Sequence, residues 1–121
     1  MPSVLVIEDD YLLADEIASA LQGAGYRVVG PAATLDAANR LLADNKIDFG
    51  CLDVRLSGDE TSLPMARSLA ALGIPFVFLT AYPIAYLPVE MRDRPKLEKP
   101  MQPAALVGLI KDLLKPAAKQ A

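Results

Sequence analysis

Apolar runs too short to be helices recur at residues 4–7, 27–29, 49–52 and 75–79, each closing in polar or glycine-bearing residues, with segments of helical period between them. Short apolar runs bounded by turn residues are strands. Leu13, Ile17, Ala20 and Leu21 mark one amphipathic helix, and Leu35, Ala38, Leu41 and Leu42 mark a second. A third carries Leu63, Ala66, Leu69 and Ala70. It has Pro64 in its first turn, where a missing N–H does little harm, and Gly73 as a natural C-terminal cap. The last, over residues 103–114, sets Leu106, Val107, Ile110 and Leu114 on one stripe and is ended by Pro116. Strands apolar on both faces and alternating with helices predict an α/β fold, a doubly wound parallel sheet covered on each side and joined by right-handed crossovers.

Between Ala81 and Glu98 the pattern weakens, because Pro83, Pro88 and Pro95 forbid a long helix. Only a turn or so is expected around residues 84–87, so the fourth helix is short or irregular, with a fifth strand at residues 96–98 on the sheet edge. The 121 residues suit one domain, expected over residues 1–116, with a frayed tail at 117–121 and no room for a second domain.

A hydrophobic content of 53% with 22% charged residues excludes a disordered chain. The net charge is −3 and Lys and Arg are scattered, which argues against nucleic acid as a direct partner. No basic leader opens the chain and no run of about 18 apolar residues occurs, so a soluble cytoplasmic protein without membrane contact is expected. Cys51 lies alone in an apolar run and reads as a small buried hydrophobe. With no histidine in the chain, carboxylates must do any chemistry.

Ligands of an open parallel sheet bind beyond the carboxyl ends of its strands. The first strand ends in Glu8-Asp9-Asp10, the third in Asp53 and the fourth in Thr80, while Lys99-Pro100 follows the fifth. All of these converge on one rim. Asp10 suits a helix N-cap, but a cap explains one acid and not three in a row. Asp53 alone could be a turn residue, Thr80 a strand end and Lys99 a surface lysine. Together, carboxylates about 4 to 5 Å apart would repel by roughly 3 to 4 kcal/mol at an effective dielectric near 20, so a cation belongs among them. Oxygen ligands without His or Cys favour Mg2+. With Mg2+ and Lys99 neutralising an incoming phosphoryl group, the Asp53 carboxylate could attack phosphorus in line.

The blocks Val4-Leu5-Val6-Ile7-Glu8-Asp9-Asp10, Leu52-Asp53-Val54-Arg55-Leu56, Thr80-Ala81 and Lys99-Pro100 resemble those of response-regulator receiver domains over nearly the whole chain. The resemblance implies a flavodoxin-like (CheY-like) five-stranded sheet in the order 2-1-3-4-5. It assigns Glu8, Asp9, Asp53 and the backbone carbonyl of Arg55 to Mg2+. Asp53 is then the phosphoacceptor, Thr80 a hydroxyl donor to the phosphoryl group, Ala81 the small residue leaving room for it, and Lys99 its ion-pair partner. A cis bond between Lys99 and Pro100 is also implied. The implied function is a stand-alone response regulator of a two-component phosphorelay. It would be phosphorylated by a histidine kinase or histidine phosphotransfer protein and would signal to an unidentified downstream protein as a monomer or weak homodimer. It would be no enzyme beyond Mg2+-dependent autophosphorylation and autodephosphorylation at Asp53.

Receivers commonly carry an aromatic switch residue three positions before the lysine, where this chain has Lys96. The stretch Pro75-Phe76-Val77-Phe78-Leu79-Thr80-Ala81-Tyr82 is similar to a bacterial single-domain subgroup with a Phe-Ala-Thr-Gly-Tyr type motif, Leu79 and Ala81 replacing its Ala and Gly. Tyr82 is a candidate for the moving aromatic beside Thr80, with ordinary packing as the other reading of Tyr82 and Tyr86. The proline-interrupted segment 82–94 is expected to have few backbone hydrogen bonds and to reorganise on phosphorylation. A dehalogenase-type phosphatase would need a second Asp two residues after the nucleophile, where Arg55 stands, and a nucleotide fold would need a glycine-rich turn after the first strand. A receiver-fold interaction module acting without phosphorylation, or a phosphate sink, are the remaining alternatives.

Overall fold

In the computed structural model, which describes residues 1–81 and 87–114, the apolar runs pair as β1 (Ser3–Ile7), β2 (Arg27–Ala32), β3 (Phe49–Asp53), β4 (Phe76–Thr80) and β5 (Lys96–Glu98). All pairings are parallel and the order is β2-β1-β3-β4-β5, as expected. Four helices cover the sheet: α1 (Tyr11–Gly23), α2 (Leu35–Asp44), α3 (Leu63–Ala71) and α4 (Pro103–Leu113). Every residue of β1, β3 and β4 is buried, whereas β2 and β5 mix buried or half-buried positions with exposed ones because they are the sheet's edges.

The two-residue period of a strand sends neighbours to opposite faces, which builds two cores from the same strands. Leu5, Ile7, Leu52, Phe76 and Phe78 pack with Ala38 of α2 and Met65, Ala66 and Leu69 of α3. On the other face Val4, Val6, Phe49, Cys51, Val77 and Leu79 meet Ile17 and Leu21 of α1 and Leu106 and Ile110 of α4. Each such enclosed Leu, Ile or Phe contributes about 1.5 to 3 kcal/mol of hydrophobic stabilisation. Burial pushes the Cys51 thiol far up, as befits an inert core residue.

Three local features differ from the pattern-based expectation. β2 runs on past residue 29 through Gly30 and Pro31 to Ala32, which an edge strand tolerates because one side of its backbone has no ladder to feed. Gly30 sits at φ +102, where a Cβ would lie 2.9 Å from the Val6 carbonyl oxygen, so only glycine fits. Both Gly30–Pro31 and Lys99–Pro100 are cis, the second as the resemblance implied.

Third, residues 88–94 are better tied than their prolines suggest. A 3-10 turn spans Val89–Met91, with N–H groups of Met91, Arg92 and Arg94 donating to Pro88, Val89 and Met91 carbonyls. Proline forbids a helix interior but its carbonyl still accepts. Lys96 Nζ donates to the carbonyls of Arg92 and Arg94, and the Arg94 guanidinium lies 5.0 Å above the Phe76 ring. The expected turn at residues 84–87 falls mostly outside the described residues, as do Tyr82, Tyr86, Pro116 and the tail 117–121. Among the described residues no helix is long and apolar enough to cross a membrane.

Candidate functional site

The chain starts in the middle of the sheet, steps to β2 on one side and returns past β1 to β3 on the other. This reversal opens a crevice at the carboxyl ends of β1 and β3. Glu8 and Asp9 leave β1 there, Asp53 is the last residue of β3, Thr80 the last of β4, and Lys99 the first residue after β5. Backbone bonds lock these ends to one another: Val54 N–H donates to Leu79 at 3.1 Å and Lys99 N–H to Thr80 at 2.8 Å.

Asp10 turns out to be the cap, its carboxylate accepting the N–H groups of Leu12 and Leu13 at 3.1 and 3.2 Å. Glu8 and Asp9 are thereby free of capping duty. One carboxylate oxygen from each of Glu8, Asp9 and Asp53 lies within 4.8 Å of the other two. Glu8 and Asp53 are buried, at 2% and 6% exposure, and Thr80 is buried at 5%. Lys99 Nζ approaches Glu8 Oε1 at 2.8 Å and Asp53 Oδ1 at 3.3 Å.

The electrostatics of this cluster call for more positive charge than Lys99 supplies. Burial first, then a hydrogen bond and negative charge from Glu8, push the Asp53 carboxyl up to about 8 against the opposing pull of Lys99. Burial works against the Lys99 ammonium, but its hydrogen bond to Glu8 and the charges of Asp53 and Glu8 outweigh that and raise it. Glu8 Oε1 is enclosed, with Lys99 Nζ 2.8 Å away as its ion-pair partner. An enclosed oxygen with a lone pair to offer, three hard carboxylates and no nitrogen or sulfur ligand suit a divalent cation such as Mg2+.

Arg55 and Thr61 form an isolated antiparallel bridge just beyond Asp53, which fixes the backbone whose carbonyl was expected to join the metal ligands. Ala81 follows Thr80 and lines, with Leu13, Glu16, Lys99 and Pro100, an open cleft of about 480 Å³ beside the rim. Tyr82 lies outside the described residues. Sequence reasoning missed two side chains. Ser57 Oγ donates to Asp9 Oδ2 at 3.0 Å, and Glu60 Oε1 accepts the Leu35 N–H at the start of α2 at 2.9 Å. Their one signal was a polar stretch, Ser57 to Ser62, that opens four residues after Asp53.

No family model matches the chain. The chain is 31% identical over 115 residues to the phyllosphere-induced regulator PhyR of Methylorubrum extorquens, covering 92% of this chain and 43% of PhyR. It spans less than half the length of the curated relatives it matches. Among solved structures, SdrG of Sphingomonas melonis Fr1 is 35% identical with TM-score 0.81, over 95% of this chain and 98% of SdrG. SdrG from Pseudomonas melonis Fr1 has also been solved in a BeF3-activated conformation, with TM-score 0.77, 35% identity and coverage of 93% and 96%. The response regulator PhyR of Brucella abortus is 30% identical with TM-score 0.80, over 93% of this chain and 47% of that one. A 2-1-3-4-5 parallel sheet with carboxylates at its switch point and a lysine after β5, matched across nearly the full length of SdrG, places this chain in the response-regulator receiver family.

Proposed function

We propose that this receiver takes a phosphoryl group onto Asp53 from a histidine kinase or histidine phosphotransfer protein and passes the signal on by protein–protein contact in the cytoplasm. The observation that carries the reading is Asp53 itself, a buried carboxylate 3.3 Å from Lys99 in a cluster with Glu8 and Asp9. A Mg2+ ion held by Glu8, Asp9, Asp53 and the Arg55 carbonyl would supply the charge that keeps Asp53 ionised and screens the phosphoryl oxygens.

An Asp53 carboxylate oxygen forms the new bond to phosphorus while the bond to the donor's imidazole nitrogen breaks, the imidazole leaving with the electron pair. Lys99 takes one phosphoryl oxygen as an ion-pair partner and the Thr80 hydroxyl donates to another, with Tyr82 as the aromatic that follows Thr80. Burial of Glu8 and Asp53 keeps stray water from the acyl phosphate. Beryllofluoride on a carboxylate has the shape and charge of a phosphoryl group, so the BeF3-activated conformation of SdrG supports this reading for a relative of similar length. The chain acts on no substrate besides its own Asp53, and it works as a monomer or weak homodimer.

Incubation with acetyl phosphate and Mg2+ tests it by intact mass. A hydroxylamine-labile phosphoryl adduct is expected on the wild type and absent from Asp53→Asn. No adduct on the wild type would instead favour an interaction module that works without phosphorylation.

A further inference from the structure

Ser57 stands four residues beyond Asp53, on a loop that the sheet itself does not hold. The loop is nevertheless closed. Leu56 N–H donates to Glu60 at 2.9 Å, Ser62 N–H donates to Val54 at 3.0 Å, and Arg55 bridges Thr61. Gly58 turns the tip at φ +69, a conformation that favours glycine, and Glu60 ties the loop to the first turn of α2. The Ser57 hydroxyl is therefore presented from a braced loop.

Its target is Asp9, and the bond from Ser57 to Oδ2, at 3.0 Å, is the one hydrogen bond made by the Asp9 side chain among the described residues. Asp9 is the partly exposed member of the carboxylate cluster; Glu8 and Asp53 are held by burial and by Lys99. Repulsion from Glu8, and from Asp53 once it is ionised, drives a mobile aspartate outward into water, where its charge is better solvated. A hydroxyl donor from the braced loop opposes that drift, and a carboxylate has lone pairs enough to accept from Ser57 and still serve the cluster.

We propose that Ser57 is a positioning residue for the cation site, holding Asp9 beside Glu8 and Asp53 before Mg2+ arrives. The inference rests on the reading that these three carboxylates take Mg2+. Groups that orient metal ligands from outside commonly change metal affinity by 10- to 100-fold. Because Ser57 is exposed and water can partly replace it, Ser57→Ala weakens Mg2+ binding by about three- to tenfold.

The test is a Mg2+ titration at neutral pH, followed by the backbone amide resonances of Asp53 and Val54, on wild type, Ser57→Ala, Ser57→Thr and Asp9→Asn. The weakened affinity is expected in Ser57→Ala and not in Ser57→Thr, which keeps the hydroxyl. The urea midpoint without Mg2+ is expected to be the same in all three Ser57 forms, separating positioning from loop stability. Ser57→Ala adds no further loss in an Asp9→Asn background. Unchanged or tighter Mg2+ binding by Ser57→Ala, alongside weakened binding by Asp9→Asn, overturns the role of Ser57 and leaves the cation reading standing. Absence of saturable Mg2+ shifts in the wild type overturns both.

Discussion

Lys99 Nζ lies 2.8 Å from Glu8 Oε1, closer than its 3.3 Å approach to Asp53 Oδ1, so the lysine leans on the acid that is not the phosphoacceptor. Glu8 is enclosed at 2% exposure, while its Oε2 accepts the Asp10 N–H at 3.1 Å. Lys99 thus sits against the buried Glu8 carboxylate and is within reach of Asp53 as well.

Removing that lysine strands two buried carboxylates. Lys99→Ala is expected to lower unfolding free energy by about 3 kcal/mol at about pH 8 without Mg2+, near the lower end for breaking a buried pair since the lysine side chain is 20% exposed. The loss should shrink toward about pH 5, where Asp53 carries a proton. Urea denaturation at both pH values measures it.

Asp53 itself opposes folding at higher pH. Its folded value is pushed up to about 8, while an unfolded aspartate releases its proton near about 4, so the folded state binds the proton more tightly. The stability this group contributes is complete below about 4 and is lost as pH rises to about 8. Asp53→Asn escapes that loss. In EDTA, its stability is expected to exceed that of the wild type by about 1 to 3 kcal/mol at pH near 8, with the gap narrowing at lower pH.

Magnesium should act in the opposite direction. A cation that binds only the folded chain stabilises it by about 2.7 kcal/mol at 100 times its dissociation constant. The rise in thermal midpoint on adding Mg2+ is expected for the wild type and largely absent in Asp9→Asn, whose carboxylate belongs to the cluster.

Two substitutions away from the rim check the packing. A Cβ on Gly50 would meet Leu69 Cδ1 at 2.7 Å and Phe76 Cβ at 3.3 Å, so Gly50→Ala makes the Leu69 side chain of α3 repack against the strand that carries Asp53 and is expected to cost about 1 kcal/mol. Ser62 is fully buried at the start of α3, and its hydroxyl has no hydrogen-bond partner among the described residues. Ser62→Ala is therefore expected to be neutral or to stabilise by up to about 1 kcal/mol. Chemical denaturation of both variants decides.

The strand and helix pattern was legible because period and burial are local: Val4 to Ile7 are uniformly apolar, and the observed strand is uniformly buried. The rim could be read for the same reason, since Glu8, Asp53, Thr80 and Lys99 each sit at a strand's carboxyl end and the parallel sheet brings those ends together. Pro88 was harder, because a proline announces where a helix cannot be and says nothing of the turn its carbonyl accepts.

Chain order alone thus specified the architecture and the set of acids that meet. Folding decided how they are held. Lys99 chooses Glu8 over Asp53, Ser57 reaches Asp9, Glu60 receives the Leu35 N–H, and Lys96 closes on the Arg92 and Arg94 carbonyls. Most of these contacts join residues far apart along the chain, and even the nearby Lys96 contacts depend on where a turn points. No local period encodes a side chain's reach, so distances of about a hydrogen bond emerge only once the sheet has set its strand ends side by side.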